Sequence, residues 1–324
     1  MSAENKGAVA PAGAPSLASL VFYPQKNPKL RLFALWYFCT LMIAWNIVGR
    51  IWLGFEQSWF QALAGIGTAV FMQFLLEWVD ARANKRKPRY SGSVGNLVNF
   101  LPPPLIAGFA CGMLLFPNEH VFPIAFAACL AIGSKVLFRA PVGNGQSQHV
   151  FNPSNLGVVV TLFTLPWVGI APPYHFTNTI EGSGNVTIPL IIMLTGLFLH
   201  WKFTGRLPLL LGWLGGFALQ AVIRAKIGGA PWYVPLTPMS SAAFVLFTNY
   251  MIPDPATTPI GTRAQIFFGL AVAMVYGILF MLHIVFALFL SLVVVCAARG
   301  IYLHIADRLA AEPEPSPSPV GIPA

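Results

Sequence analysis

The chain has 324 residues, of which 56% are apolar and only 9% charged, with 19 Lys and Arg against 10 Asp and Glu. A soluble domain carries about 25% charged residues, so this composition excludes one and makes the bilayer the solvent. The net charge of +9 does not describe a nucleic-acid binder either, because the cations sit at the ends of apolar segments and not on a polar domain; lipid headgroups are the expected partner.

In chain order, residues 1–24 are rich in Ala, Gly, Pro and Ser and predict a disordered tail with no cleavable signal peptide. A transmembrane domain follows over 25–306. Apolar windows of about 20 residues, cut by polar or Pro/Gly clusters, predict ten spans. They fall near residues 31–54, 58–79, 95–116, 119–138, 154–171, 188–204, 207–224, 238–253, 264–282 and 283–303. Residues 307–324 form a Pro-rich tail that cannot bury enough apolar surface to fold. The expected fold is an all-α polytopic membrane bundle.

Orientation follows from the cations. Of the 19 Lys and Arg, only Arg50, Arg224 and Lys226 fall in loops on one side of such a bundle. Cytoplasmic loops collect Lys and Arg, so the other side, with both termini, is expected in the cytoplasm of a bacterial inner membrane.

Two spans are interrupted. The third holds Asn96 and Asn99 and then meets Pro102, Pro103 and Pro104; the eighth passes Pro235, Pro238, Ser240 and Ser241, reaches Asn249 and ends at Pro253, Pro255 and Pro259. Under a five-plus-five division these spans hold equivalent places and enter from opposite sides. That is the pattern of an inverted repeat with broken helices around a central site. Prolines that mark only kinks and loop edges would read the same way.

The chemistry available at depth is limited. All ten acids lie at span ends, in loops or in tails, which disfavours a carboxylate-based ion pump. Polar residues at depth are neutral: Asn46, Gln73, Asn99, Gln220 and Asn249. Such groups hydrogen-bond an uncharged heteroaromatic ligand without an unpaired charge, and equally join one helix to another. Cys39, Cys111, Cys129 and Cys296 lie inside apolar segments without metal-ligand spacing, so no metal site is expected.

Two Pro-containing loops carry the sharpest motifs. Asn152 suits a helix cap with Pro153 in the first helical position, and Asp254-Pro255 followed by Thr257 and Thr258 suits a turn. Lys135 ends a span; Gly143, Gly145, Phe151, Asn152, Pro153, Ser154 and Gly157 follow in order, and Asp254, Pro255, Thr257, Thr258 and Arg263 come later. This series resembles the RnfD/NqrB family, whose members belong to the Rnf complex and to the Na+-pumping NADH:quinone oxidoreductase, from about Ser93 to Ile305. The short form also resembles membrane proteins of that superfamily from enediyne biosynthetic clusters. The resemblance implies a membrane electron-transport protein that holds a flavin and passes electrons toward quinone or a partner protein.

Family members carry flavin mononucleotide (FMN) covalently on a Thr that follows a small residue and Ala, in a loop after the fifth span. Here that loop reads PPYHFTNTIEGSGNVTIPL, and Thr177, Thr179 and Thr187 lack the pair. Covalent FMN is therefore not expected, which leaves a noncovalent riboflavin or FMN, or a quinone. Its expected contacts are Asn96, Asn99, Lys135, Phe151, Asn152, Asn155, Asp254, Thr257 and Thr258, with Phe247 as a second ring. Catalytic residues cannot be named. The chain lacks a nicotinamide-binding Gly motif and an iron–sulfur Cys pattern, so an electron carrier would need a redox partner protein or other complex subunits. A small-solute channel or transporter and an assembly subunit of a membrane complex remain as alternatives.

Overall fold

The computed structural model describes residues 28–143, 146–170 and 183–311. The N-terminal tail expected at 1–24 lies outside the described residues, as do residues 312–324; residues 307–311 belong to the last helix.

The elements in order are α1 (Pro28–Ile51), α2 (Trp59–Ala83), α3 (Val94–Phe100), α4 (Pro102–Leu114), β1 (Leu115–Phe116), α5 (Phe122–Leu137), β2 (Arg139–Pro141), β3 (Ser147–His149), α6 (Pro153–Thr164), β4 (Gly169–Ile170) and α7 (Gly184–Leu199), continued by a π turn (His200–Thr204). Then come α8 (Leu207–Gly228), a 3-10 turn (Val234–Ser240), α9 (Ala242–Leu246), a second π turn (Phe247–Met251), α10 (Thr262–Met281) and α11 (Ala287–Ala311). Every predicted span coincides with one of these helical stretches. Seven are long and apolar enough to cross a bilayer; α5 and α6 are apolar but shorter, and the eighth is irregular. The chain is an all-α multi-pass membrane bundle, and among the described residues its strands form only two small antiparallel pairs, β1 with β4 and β2 with β3.

Local sequence explains the helix starts. Ser58 and Gln61 form a reciprocal capping box at α2, which satisfies two donors that a helix N-terminus leaves open. Asn152 caps α6 with Pro153 next in line. After α2, Arg86 bridges Glu77 and Asp80, and the Arg89 N–H donates to Glu77 at 2.8 Å, so both acids at this span end are neutralised by the cationic loop.

The two halves pack alike. In the first, α4 packs on α1 and α2, α2 packs on α5, and α5 packs on α6. In the second, the segment from the 3-10 turn to the second π turn packs on α7 and α8, α8 packs on α10, and α10 packs on α11. Contacts between halves join the two first spans and the two fifth spans, α1 with the π turn after α7 and α6 with α11. This shared order of packing is what the expected five-plus-five division requires.

Close approach depends on small residues, because lipid offers no hydrophobic drive between helices. A Cβ on Gly108 of α4 would fall 2.6 Å from the Ile66 Cα of α2, and one on Gly269 of α10 would fall 2.4 Å from the Leu209 carbonyl of α8. The outer faces stay apolar, with Phe60, Phe71, Leu211, Leu219 and Met274 more than half exposed to what is hydrocarbon in a bilayer. The four cysteines are free.

Candidate functional site

Arg50, Arg224 and Lys226 stand at one end of the bundle, at the C-termini of α1 and α8. At the opposite, cation-rich end a cavity of ≈ 1460 Å³ opens between the halves, walled by α1, α4, the start of α6, the π turns, α10 and α11.

The loop after the eighth span forms one wall. Asp254 organises it: its Oδ1 accepts the Ala256 N–H at 3.0 Å and its carbonyl accepts the Thr258 hydroxyl at 2.7 Å. Its Oδ2 lies 3.4 Å from Nε2 of His149 and accepts from Nδ2 of Asn152 at 3.4 Å. The carboxylate thereby ties both Pro-containing loops together. Its side chain is 17% exposed. Burial alone would raise its pKa, but the His149 ring, the Ala256 N–H and the charge of Lys135 outweigh that and hold the carboxyl below its ordinary value.

Arg206, at the start of α8, is 2% exposed. Its guanidinium donates to the carbonyls of Pro259 at 2.6 Å and Pro255 at 3.0 Å, which fastens the Asp254 loop from behind. Burial lowers its pKa to about 10 against the pull of Asp254, so it stays cationic at neutral pH.

A deeper wall is made by the two π turns, which face each other. His200 meets the Asn249 carbonyl through Nε2 at 2.6 Å and the Thr204 hydroxyl through Nδ1 at 2.9 Å. The carbonyl requires a donor, which places the ring proton on Nε2. Asn249 donates to the Ile192 carbonyl at 3.3 Å, while its Oδ1 is buried without a partner. Gly196 makes this approach feasible, since a Cβ there would fall 2.3 Å from the Asn249 Cγ. Phe38 and Tyr250 stack at 4.8 Å with planes 11° apart and form an aromatic side of the cavity.

Of the residues predicted to bind, Lys135, Asn152, Asp254 and Thr258 line the cavity. Thr257 and Asn155 lie just behind it. The Thr257 hydroxyl donates to the Asp254 carbonyl at 3.3 Å, and Asn155 ties α6 to the Phe289 carbonyl at 3.0 Å. Phe151 packs on Phe138, and Phe247 is buried against Trp213 and Phe289. Asn96 and Asn99 are outside it: Asn96 donates to the Ser91 carbonyl and Asn99 accepts from Trp36. Thr177, Thr179 and Gly145 lie outside the described residues.

His149, His200, Arg206, Tyr250 and Arg299 also line the cavity without having been singled out as binding residues. Arg299 had a legible signal, a lone cation within an otherwise apolar span. The others became neighbours only through packing of distant spans.

Residues 168–290, from just before β4 to the first turn of α11, match the model of the NQR2, RnfD, RnfE family. The D component of the ion-translocating oxidoreductase complex of Pseudomonas paraeruginosa (strain DSM 24068 / PA7) is 26% identical across 44% of this chain and 56% of its own length. The chain thus aligns with little more than half of that curated relative. Asp254, Pro255, Thr257, Thr258 and Arg263 fall inside the matched stretch; Lys135 to Gly157 precede it. Both similarities point to the family that the motifs resemble.

Proposed function

We propose that this chain is an integral membrane electron-transport subunit that holds a noncovalent flavin, riboflavin or FMN, or a quinone in the cavity between its halves. It exchanges electrons with a partner redox protein or with other subunits of a membrane complex. The observation that carries this reading is the meeting of the two Pro-containing loops on Asp254 at the mouth of a cavity with an aromatic side. The family similarity supports membrane electron transport as the setting.

The residues present fit such a ring. Asn152 Nδ2 is a weakly engaged donor, and Phe38 with Tyr250 offers a flat face. When bound, a flavin or quinone supplies the electron-carrying chemistry itself. The chain's own part is to hold the ring's polar edge, exclude water with apolar walls and bring the ring near the cation-rich surface where a soluble partner docks. That surface, with both termini, is assigned to the cytoplasmic side of a bacterial inner membrane, because among the described residues only three cations stand at the other end.

Covalent attachment of FMN is not part of this reading. The Thr187 hydroxyl donates to the Ser183 carbonyl at 2.9 Å in the first turn of α7, between Val186 and Ile188. A transferase needs an extended, accessible Thr, and β-branched neighbours at a helix start oppose that.

The visible spectrum of the purified protein, followed by titration with riboflavin, FMN and a short-chain quinone, tests the proposal. Flavin absorbance or saturable binding of one of these is expected. A colourless protein that binds none of them and conducts solute in liposomes would overturn it. In-gel fluorescence of the denatured protein checks attachment: a fluorescent band lost in Thr187→Ala would show that the flavin is covalent.

A further inference from the structure

We propose that the cavity binds a phosphate-bearing ligand, whose anionic group is held by Lys135 and Arg299. This inference rests on the reading of the cavity as a ligand site and specifies what that ligand must carry.

Cations outnumber acids on the cavity wall, and Asp254 is the acid whose charge both Lys135 and Arg206 feel. Arg31, Lys135, Arg206 and Arg299 line the cavity against only Asp254 and Asp307. Asp254 is already engaged by His149, Asn152 and the Ala256 N–H, and Asp307 is exposed near the end of α11. Among the described residues, Lys135 Nζ and the Arg299 guanidinium make no hydrogen bond and no ion pair. Arg206 is 2% exposed and uses its two terminal nitrogens on proline carbonyls, while its Nε is buried without a partner. Cations gathered at low dielectric repel strongly unless an anion lies between them.

A phosphate suits this arrangement better than a carboxylate. The two unpaired cations come from separate elements, the end of α5 and the body of α11, and phosphate presents several acceptor oxygens in a tetrahedral spread that can meet cations from different directions. The rest of the cavity is apolar or aromatic, with Phe38, Tyr250, Phe268 and Val295 on its walls. The ligand is therefore an amphiphile: a phosphate head on a ring or chain. A phosphorylated flavin and an anionic phospholipid share that chemistry.

The experiment uses the full chain purified in a neutral detergent. Binding of FMN and of riboflavin is read by flavin fluorescence, and thermal stability is read with phosphatidylglycerol or phosphatidylcholine added. Two charge-assisted contacts predict FMN binding about tenfold tighter than riboflavin, a preference that shrinks with salt and falls to about threefold in Lys135→Gln and in Arg299→Gln. Stabilisation by phosphatidylglycerol alone, lost in the same variants while neither flavin binds, keeps the phosphate site with a lipid as its source and overturns the flavin reading. Equal binding of FMN and riboflavin, with no lipid effect that depends on Lys135 or Arg299, overturns the phosphate site while leaving the flavin reading intact. Arg206 is left unchanged because it fastens the Asp254 loop.

Discussion

The third and eighth spans hold equivalent places in the two halves, yet their interruptions differ. Leu101 carries the chain from α3 to α4 with helical dihedrals, φ −77° and ψ −35°. Pro102, Pro103 and Pro104 then occupy the first turn of α4, where backbone N–H groups lack helical partners anyway, so three missing donors cost almost nothing. The eighth span passes instead through a 3-10 turn, one turn of α-helix and a π turn before the Asp254 loop. There the irregular backbone is repaired from elsewhere, as His200 reaches the Asn249 carbonyl and Arg206 reaches two proline carbonyls, while Trp213 Nε1 anchors the segment through the Thr248 hydroxyl at 2.9 Å. Proline count alone does not distinguish a kink from a site. What distinguishes them is whether side chains from other spans must complete the hydrogen bonding.

If this comparison is right, substitutions at the eighth span should cost far more than those at the third. Arg206→Met is expected to have the largest effect. It strands two buried proline carbonyls at roughly 1–3 kcal/mol each, seen as a large fall in midpoint when the detergent-solubilised protein is unfolded by heat or denaturant. Gly196→Ala should follow, because the new methyl group meets Asn249 at 2.3 Å. Overpacking of this kind costs about 1–3 kcal/mol, and a normal midpoint would show that the two π turns do not pack as tightly as described.

Asp254 sharpens the same contrast through pH. Its folded-state pKa lies below the ordinary value of 3.8, so the stability it contributes is fully present above that value. That contribution is lost as pH falls through the lower folded pKa. The unfolding midpoint of the native chain should therefore drop on acidification below about pH 4, and Asp254→Asn should lack that component while being less stable at neutral pH.

Smaller effects are expected at the edges of the comparison. Asn152→Leu removes the α6 cap and the donor to Asp254, about 1 kcal/mol, and should weaken flavin or quinone binding about fivefold in a titration. Equal binding by a normally folded variant would leave Asn152 as a cap only. Pro103→Ala should shift the midpoint least, by less than about 1 kcal/mol, because the residue sits in a first turn with no donor to restore.

The segmentation was legible because burial in lipid demands apolar length, and all ten predicted spans meet helices. Boundaries slipped where loops are short and polar. The last helix begins at Ala287 and runs to Ala311, where 283–303 was expected, because His283 and Ile284 turn the chain between α10 and α11. Asn152 and Asp254 were legible as a cap and a turn, but Asn99 was not legible as a partner of Trp36, since that bond joins residues 63 apart.

Composition and apolar spacing by themselves determined a multi-pass bundle with a cationic end, since hydrocarbon tolerates little else and the cations must stay at its edges. The same local patterns placed the caps, the prolines and the pairing of Asp254 with Thr257 and Thr258, all within a few residues of chain. Only the tertiary structure decided that His149, Asn152 and Asp254 converge across about a hundred residues, that Arg206 lies buried behind them and that Asn249 keeps an unpaired oxygen. The reason is physical: these are contacts between spans, set by where small residues let two helix backbones touch, and no single segment of sequence carries that information.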